Sequence, residues 1–386
     1  MEPEYEAAIS GRKRSKRRSE RQIRFSGIDI VKILALLLVI CIHTFLHTGF
    51  YGTPITMQFG APQIFLRWIA FNCVPLFMIT TGFLMCHKTL SAGYYPKIIR
   101  VLVIYVVISL GNVIFNVFYY HMDYTAWQII RGLFMYTDAH YGWYVEYYFT
   151  LFLLIPFINA AFFGLKNRKQ RLLMVMTACF LFVVAPTFYV GNDVSTQIRP
   201  FPAFFVRGYP IAYYLIGAFV REYPPSRTRR AKMRFLLWFL IAWILLSLTT
   251  IYQSMMNKEN GSVWLSWHYD DYGSWPAVLM SAMFFLLLFD IRIRSRAMTA
   301  VLQRLSNATY PAYLISFIFD AIFYKKLNAT YPTVVTRFQH VIPVIAKVFA
   351  CSMISGLVIQ LLYELCEKKA KQFIHNDRMR SYNARQ

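Results

Sequence analysis

Acidic side chains are scarce in this sequence. Asp and Glu number 18 among 386 residues, and charged residues of both signs make up only 15%. An average soluble domain carries roughly a quarter charged residues. A chain that is 57% apolar and 18% aromatic therefore has too little polar surface to cover itself in water, which excludes an ordinary soluble globular protein. Cysteine is sparse as well. Cys41, Cys73, Cys86, Cys179, Cys351 and Cys366 are scattered through apolar runs, with no Cys-x-x-Cys pair. That pattern excludes a disulfide framework and a cysteine-based metal site. No internal repeat is visible, and no connection between apolar runs is long enough to form a separate domain.

Apolar runs fill the space left by these absences. A membrane-crossing helix needs about 20 mostly apolar residues. By that measure ten spans are expected, at 27–49, 63–86, 98–120, 143–163, 172–190, 203–220, 235–254, 273–291, 307–324 and 341–364. The fold expected is all-α: a polytopic membrane protein with a basic tail at 1–26, a transmembrane domain at 27–366 and a second basic tail at 367–386. The first span is too long for a cleavable signal peptide and lacks a small-residue cleavage site after it, so it reads as an anchor. The sixth span is interrupted by Arg207 and Pro210, and the ninth contains Pro311 and Asp320. Both need neighbouring helices to satisfy the backbone groups they free.

The 41 Lys and Arg residues give a net charge of +23. Counted in alternate connections together with the adjoining span ends they divide 31 to 8, with Lys32 and Lys347 within spans left out of both sets. Basic residues near span ends are retained in the cytoplasm, so both termini are expected there, with the chain in the cell (inner) membrane. The charge is thus a topology signal and a contact with anionic lipid headgroups. No nucleic-acid partner is expected. The outward connections 121–142 and 255–272 are aromatic (Trp127, Tyr136, Tyr141; Trp264, Trp267, Tyr269) and suit an interfacial belt or an outward-facing site.

Ionisable groups inside a span are costly and mark function by default. In the first span Asp29, Lys32, His43 and His47 fall within an arc of about 60° at 100° per residue, so this stripe must face protein or water. Lys32 and His43 stand eleven residues apart, roughly 16 Å along the axis, comparable to an extended pantetheine arm. Lys32 near the headgroups also fits simple snorkelling. His43 lies deeper with no carboxylate nearby in sequence, and imidazole is suited to take a proton from a hydroxyl near neutral pH. His43 and His47 have no third local ligand, so no metal site is expected.

The first span, from Asp29-Ile30-Val31-Lys32 to His43, resembles the opening helix of the integral-membrane acyltransferase-3 family, which carries Arg or Lys and His at this spacing. Three further segments agree in order. Val74-Pro75-Leu76-Phe77-Met78-Ile79-Thr80-Thr81-Gly82-Phe83-Leu84 resembles the family's Val-Pro-Leu-Phe-Phe-Met-Ile-Ser-Gly-Tyr-Leu helix end. Tyr94-Tyr95-Pro96-Lys97-Ile98-Ile99-Arg100 resembles the basic segment opening its third span. Trp143-Tyr144-Val145-Glu146-Tyr147-Tyr148 with Leu154-Ile155-Pro156 resembles its Trp-(Tyr/Phe)-Leu segment followed by Leu-x-Pro. Two positions depart from the pattern. Lys32 replaces the commoner Arg, keeping the charge but losing the bidentate fork, and Ser316 stands where many members carry a late histidine.

The resemblance implies transfer of an acyl group, usually acetyl from cytoplasmic acetyl-CoA, to a hydroxyl of an envelope glycan or lipid-linked sugar. No permanently bound cofactor is expected. Lys32, Lys97 and Arg100 would meet the CoA phosphates. His43 would assist acyl transfer as proton acceptor, and Glu146, the only acidic residue of the fourth span, would share the catalytic site. Asn72, Trp143 and Tyr144 would bind or orient substrate. The competing classes are an ion-coupled transporter using Asp29, Glu146 and Asp320, which normally shows repeats, and a non-catalytic sensor on the same fold.

Overall fold

A computed structural model of the protein describes residues 25–56, 59–184, 201–256, 258–259, 261–265 and 272–383. Residues 1–24 of the basic tail, the end of the fifth expected span, Trp267 and Tyr269 lie outside the described residues. Thirteen helices are seen among those described: α1 (Ser26–His47), α2 (Gly60–Ala70), α3 (Cys73–Met85), α4 (Ile99–Tyr120), α5 (Ala126–Phe134), α6 (Trp143–Gly164), α7 (Arg168–Cys179), α8 (Tyr209–Glu222), α9 (Arg229–Met256), α10 (Trp275–Leu288), α11 (Arg296–Thr330), α12 (Val334–Gln339) and α13 (Val341–Asn383). Their only strands form a hairpin of β1 (Lys258–Glu259) and β2 (Ser262–Val263). The domain boundary expected after 366 falls inside α13.

Helix is the form expected here, because lipid offers the backbone no hydrogen bonds. Among the described residues six segments are long and apolar enough to cross a bilayer: α1, α2 with α3, α4, α6, α9 and α13. The other four expected spans differ for local reasons. α8 and α10 have 14 residues each, although α10 is strongly apolar. α7 opens on Arg168-Lys169-Gln170-Arg171 and runs into a π turn at Phe180–Val184. α11 has 35 residues, about 52 Å of helix, but Asp320, Lys325 and Lys326 interrupt its apolar character. The protein is a polytopic, all-α membrane protein.

Two details fix the frame around α1. The expected span 63–86 breaks at Phe71 and Asn72, ahead of Pro75. Asn72 Nδ2 donates to the Trp68 and Ile69 carbonyls, 3.2 and 3.0 Å away, and Asn72 Oδ1 accepts from Ser281 Oγ at 2.9 Å. One side chain thus satisfies acceptors freed by the break and ties the joint to α10. Close approach of α3 to α8 depends on glycine from both sides. A Cβ on Gly82 would overlap the Tyr214 carbonyl oxygen, and one on Gly217 would overlap that of Ile79. Small residues at such crossings let backbones meet where apolar burial gives no net drive against lipid.

α1 packs against α2, α3, α10, α11 and α13. Of its most apolar stretch 61% is buried, against 22% for α13. α1 is therefore an inner helix and α13 a peripheral one. This burial forces the polar stripe of α1 to find its partners in protein.

Candidate active site

The stripe on α1 meets two different environments. Near its start, half-buried Lys32 donates from Nζ to the Ser306 carbonyl of α11 at 2.6 Å. Lys32 lines a cavity of about 310 Å³ together with Arg100, Tyr144, Tyr310, Tyr313 and Gln360. The Arg100 guanidinium lies 5.5 Å from the centre of the Tyr363 ring of α13, a cation–π contact. The cavity is cationic at the Lys32 and Arg100 end and lined by tyrosines beyond it.

About three turns further along α1, His43 meets a carboxylate from α11. His43 Nδ1 lies 3.5 Å from Asp320 Oδ2, with Asp320 fully enclosed and 14% of the His43 side chain still exposed. Tyr141, from the connection before α6, donates its hydroxyl to the same oxygen at 2.9 Å. His47 Nε2 stands 2.7 Å from the Tyr141 oxygen. Since the Tyr141 proton is committed to Asp320, the network assigns the His47 proton to Nε2. The Tyr141 ring also stacks on His43, with centroids 3.8 Å apart. Tyr324 stacks on His47 at 5.4 Å and hydrogen-bonds Thr44 Oγ1 at 2.6 Å. Asn328 Nδ2 donates to the His47 carbonyl at 2.8 Å.

Three buried polar atoms in this cluster have no hydrogen-bond partner, His43 Nδ1, Asp320 Oδ1 and Asn328 Oδ1. Such atoms are costly in a low-dielectric interior and uncommon in native proteins. The His43 to Asp320 distance is just beyond hydrogen-bonding range, and catalytic hydrogen bonds in unliganded proteins are often long and tighten with substrate. Tyr313 joins the two environments. It lines the cavity, and its hydroxyl donates to the Tyr141 carbonyl in a short hydrogen bond.

The connection carrying Tyr141 has an unusual backbone. Tyr136 and His140 adopt positive φ, 57° and 51°, where non-glycine residues are strained. His140 is held by Asn116 Nδ2 at 3.0 Å and by stacking on Phe317 at 3.7 Å. Burial, with His47 nearby, lowers its pKa below the usual imidazole value. These contacts hold His140, the residue immediately before Tyr141, in place.

The expected site residues fall into separate places. His43 stands in the enclosed cluster, while Lys32, Arg100 and Tyr144 line the cavity. Lys97 is exposed and does not line it. Asn72 is fully buried in the α2–α3 joint. Trp143 and Glu146 line a second cavity, of about 700 Å³, on another face of α6. Glu146 is exposed in the first turn of α6, where the helix dipole favours a negative charge. Ser316 turns its hydroxyl back to the Tyr313 carbonyl at 2.8 Å, and Asp320 follows one turn later.

Sequence reading did not assign Asp320 or Tyr141 to the His43 site. Asp320 reads in the sequence as an interruption of the ninth span and as a coupling acid of the competing transporter class, not as the partner of His43. Tyr141 carried no signal beyond its place in an aromatic loop, because 179 residues separate it from Asp320.

The helical bundle thus encloses a histidine and a carboxylate beside a cationic cavity. The acyltransferase domain of the acyltransferase-3 family matches residues 25–360, from the residue before α1 into the first half of α13. The chain belongs to that family and is a membrane acyltransferase. No curated protein and no solved structure matches it.

Proposed function

We propose that the protein transfers an acetyl or similar short acyl group from cytoplasmic acyl-CoA to a hydroxyl of an envelope glycan or lipid-linked sugar. The observation that carries this reading is the pairing of His43 with Asp320 on the helix that also presents Lys32 to a cavity. That cavity is at the small end of ligand pockets, which span about 300–1,000 Å³. It suits the pantetheine arm and thioester, with the CoA phosphates left at the Lys32 and Arg100 mouth. The basic asymmetry of 31 to 8 supports an inner-membrane protein with both termini, and hence this mouth, in the cytoplasm.

The chemistry follows from the side chains. His43 accepts the proton of the acceptor hydroxyl through Nε2 as its oxygen attacks the thioester carbonyl. Asp320, behind Nδ1, stabilises the imidazolium that forms. The carbon–sulfur bond then breaks, and the leaving thiolate recovers the proton from His43 as free CoA. No metal or redox group enters this balance.

The test uses the purified protein in lipid, acyl-labelled acyl-CoA and envelope membranes. Label is expected in an alkali-labile ester of a glycan or glycolipid fraction. His43→Gln should still bind donor while transfer falls about 10²–10⁴-fold, the usual worth of a general base. If wild type transfers no label to any such acceptor, or if His43→Gln transfers normally, the proposal is wrong. An ion-coupled transporter would produce no ester with either protein.

A further inference from the structure

The cavity beside Lys32 is lined by side chains whose hydroxyl protons are mostly spent on the protein itself. Tyr310 donates to the Val101 carbonyl at 3.0 Å, Thr81 to that of Phe77 at 2.9 Å and Thr309 to that of Ser306 at 2.9 Å. Tyr313 donates to the Tyr141 carbonyl. Two buried polar atoms of the lining are unspent, Thr80 Oγ1 and Gln360 Oε1. Thr80 is 3% exposed and Gln360 5%, so bulk water does not serve them, and such atoms are uncommon without a partner.

The orientation of Gln360 is fixed by chemistry. Its Nε2 donates to the Glu364 carboxylate one turn further along α13. An ionised carboxylate can only accept, so the amide nitrogen is committed to Glu364 and the oxygen is left as an acceptor without a donor. On an exposed helix face such an i,i+4 pair would be a minor contact. Here the glutamine is buried, and the pair decides which of its two atoms stays free. Tyr363, three residues beyond Gln360, meets the Arg100 guanidinium, so Gln360 is about 5 Å along α13 from the cationic mouth.

An acceptor and a hydroxyl are matched together by a secondary amide, which offers an N–H to Gln360 and a carbonyl to Thr80. Phosphates, carboxylates, acyl phosphates and simple thioesters carry no N–H. We infer that Gln360 is a specificity-determining residue of the donor site, accepting from an amide N–H of the donor's arm, and that Glu364 is the positioning residue that orients it. The inference rests on the acyl-CoA reading above and adds to it how the arm is told from other thioesters. Gln360 and Glu364 lie outside the four motif segments, and Glu364 lies beyond the residues that the family match covers. Thr80 donates to an amide carbonyl of the same arm. A donor with an ester in place of the amide leaves Gln360 Oε1 buried and unpaired, and a site built for an N–H rejects the analogue that lacks it.

The experiment uses full-length protein in nanodiscs and compares binding of acetyl-CoA with that of an analogue whose two arm amides are replaced by esters. Adenosine 3′,5′-bisphosphate, which has phosphates but no arm, is the third probe. Wild type is expected to prefer acetyl-CoA over the ester analogue about tenfold or more. Gln360→Met, similar in bulk, should weaken acetyl-CoA about tenfold and leave the analogue and the bisphosphate nearly unchanged, so that the preference disappears. Glu364→Ala frees the amide to turn and should lower the preference about threefold without altering the analogue's affinity. Thermal melting confirms that the variants are folded. Equal binding of acetyl-CoA and the ester analogue by wild type, or an unchanged preference in Gln360→Met, overturns the inference. An unchanged preference in Glu364→Ala overturns the orienting role. Wild type that binds neither acetyl-CoA nor the bisphosphate defeats the acyl-CoA reading itself, whereas acetyl-CoA binding with no amide preference defeats only this inference.

Discussion

The two ends of α1 carry the same kind of stripe but treat their polar groups differently. At the Lys32 end the ammonium is anchored on the Ser306 carbonyl at 2.6 Å, and the cavity beside it is open. At the His43 end the pair is enclosed, yet His43 Nδ1 and Asp320 Oδ1 have no partners. The first arrangement is that of a binding site, whose groups are held in place before a ligand arrives. The second keeps unspent hydrogen-bonding capacity in a low-dielectric setting, where each new bond is strongest. In the proposed reaction one helix divides recognition and chemistry between its ends, roughly 16 Å apart.

The sharpest way to break this contrast is at the enclosed end. Asp320→Asn preserves shape but removes the charge that stabilises imidazolium, and transfer should fall about 10²–10⁴-fold with donor affinity unchanged. Single-turnover acyl transfer and acyl-CoA binding, measured on the same preparation, give the two numbers. A weakened donor affinity with normal turnover would reverse the assignment of the ends.

Lys32→Ala should show the opposite split. Losing a charge-assisted hydrogen bond of about 1.5–3 kcal/mol raises the dissociation constant for acyl-CoA about tenfold to a hundredfold, while turnover at saturation changes less. Isothermal titration with acyl-CoA and with CoA lacking the thioester locates the loss in the phosphates, since both ligands should weaken equally.

The smallest effects belong to the supporting hydroxyl and the outer histidine. Tyr141→Phe takes a donor from Asp320 Oδ2 and should lower turnover about tenfold, as expected for a hydrogen bond to a charged group. His47→Gln can still donate to Tyr141 and should cost about fivefold or less, the worth of one neutral hydrogen bond of about 1 kcal/mol. Initial rates of ester formation rank the two. A His47 variant slower than the Tyr141 variant would make His47, and not Tyr141, the residue that sets the cluster.

Much of this architecture was legible because lipid imposes simple rules. Length and apolarity found α1, α4, α6, α9 and α13, and helical periodicity placed Lys32 and His43 on one stripe before any neighbour was known. Helix breaks were harder. The joint at Asn72 lies inside what the sequence presents as one span, 63–86, and the side chain's return to the Trp68 and Ile69 carbonyls reveals it. Pairing between distant helices was not legible at all. His43 and Asp320 are brought together by packing of α1 against α11, and no local pattern encodes that contact. Glu146 illustrates the reverse case. Its place in an apolar span drew attention, but the structure has it at the exposed first turn of α6, where negative charge is tolerated for reasons of the helix dipole.

The enclosure of Asp320 also bears on how the chain is made. An Asp near the centre of an isolated helix costs about 3 kcal/mol to insert, so α11 alone would be a poor passenger for the insertion machinery. Synthesis proceeds from the N-terminus, and the residues that face this carboxylate are far upstream, Tyr141 by 179 positions and His43 and His47 in the first helix. When α11 leaves the ribosome, its receiving surface is already in the membrane. A chain order that put α11 first would expose the acid to lipid with nothing to meet it. The late position of Asp320 thus makes assembly vectorial: the His43 cluster is closed by the last of its helices to be translated.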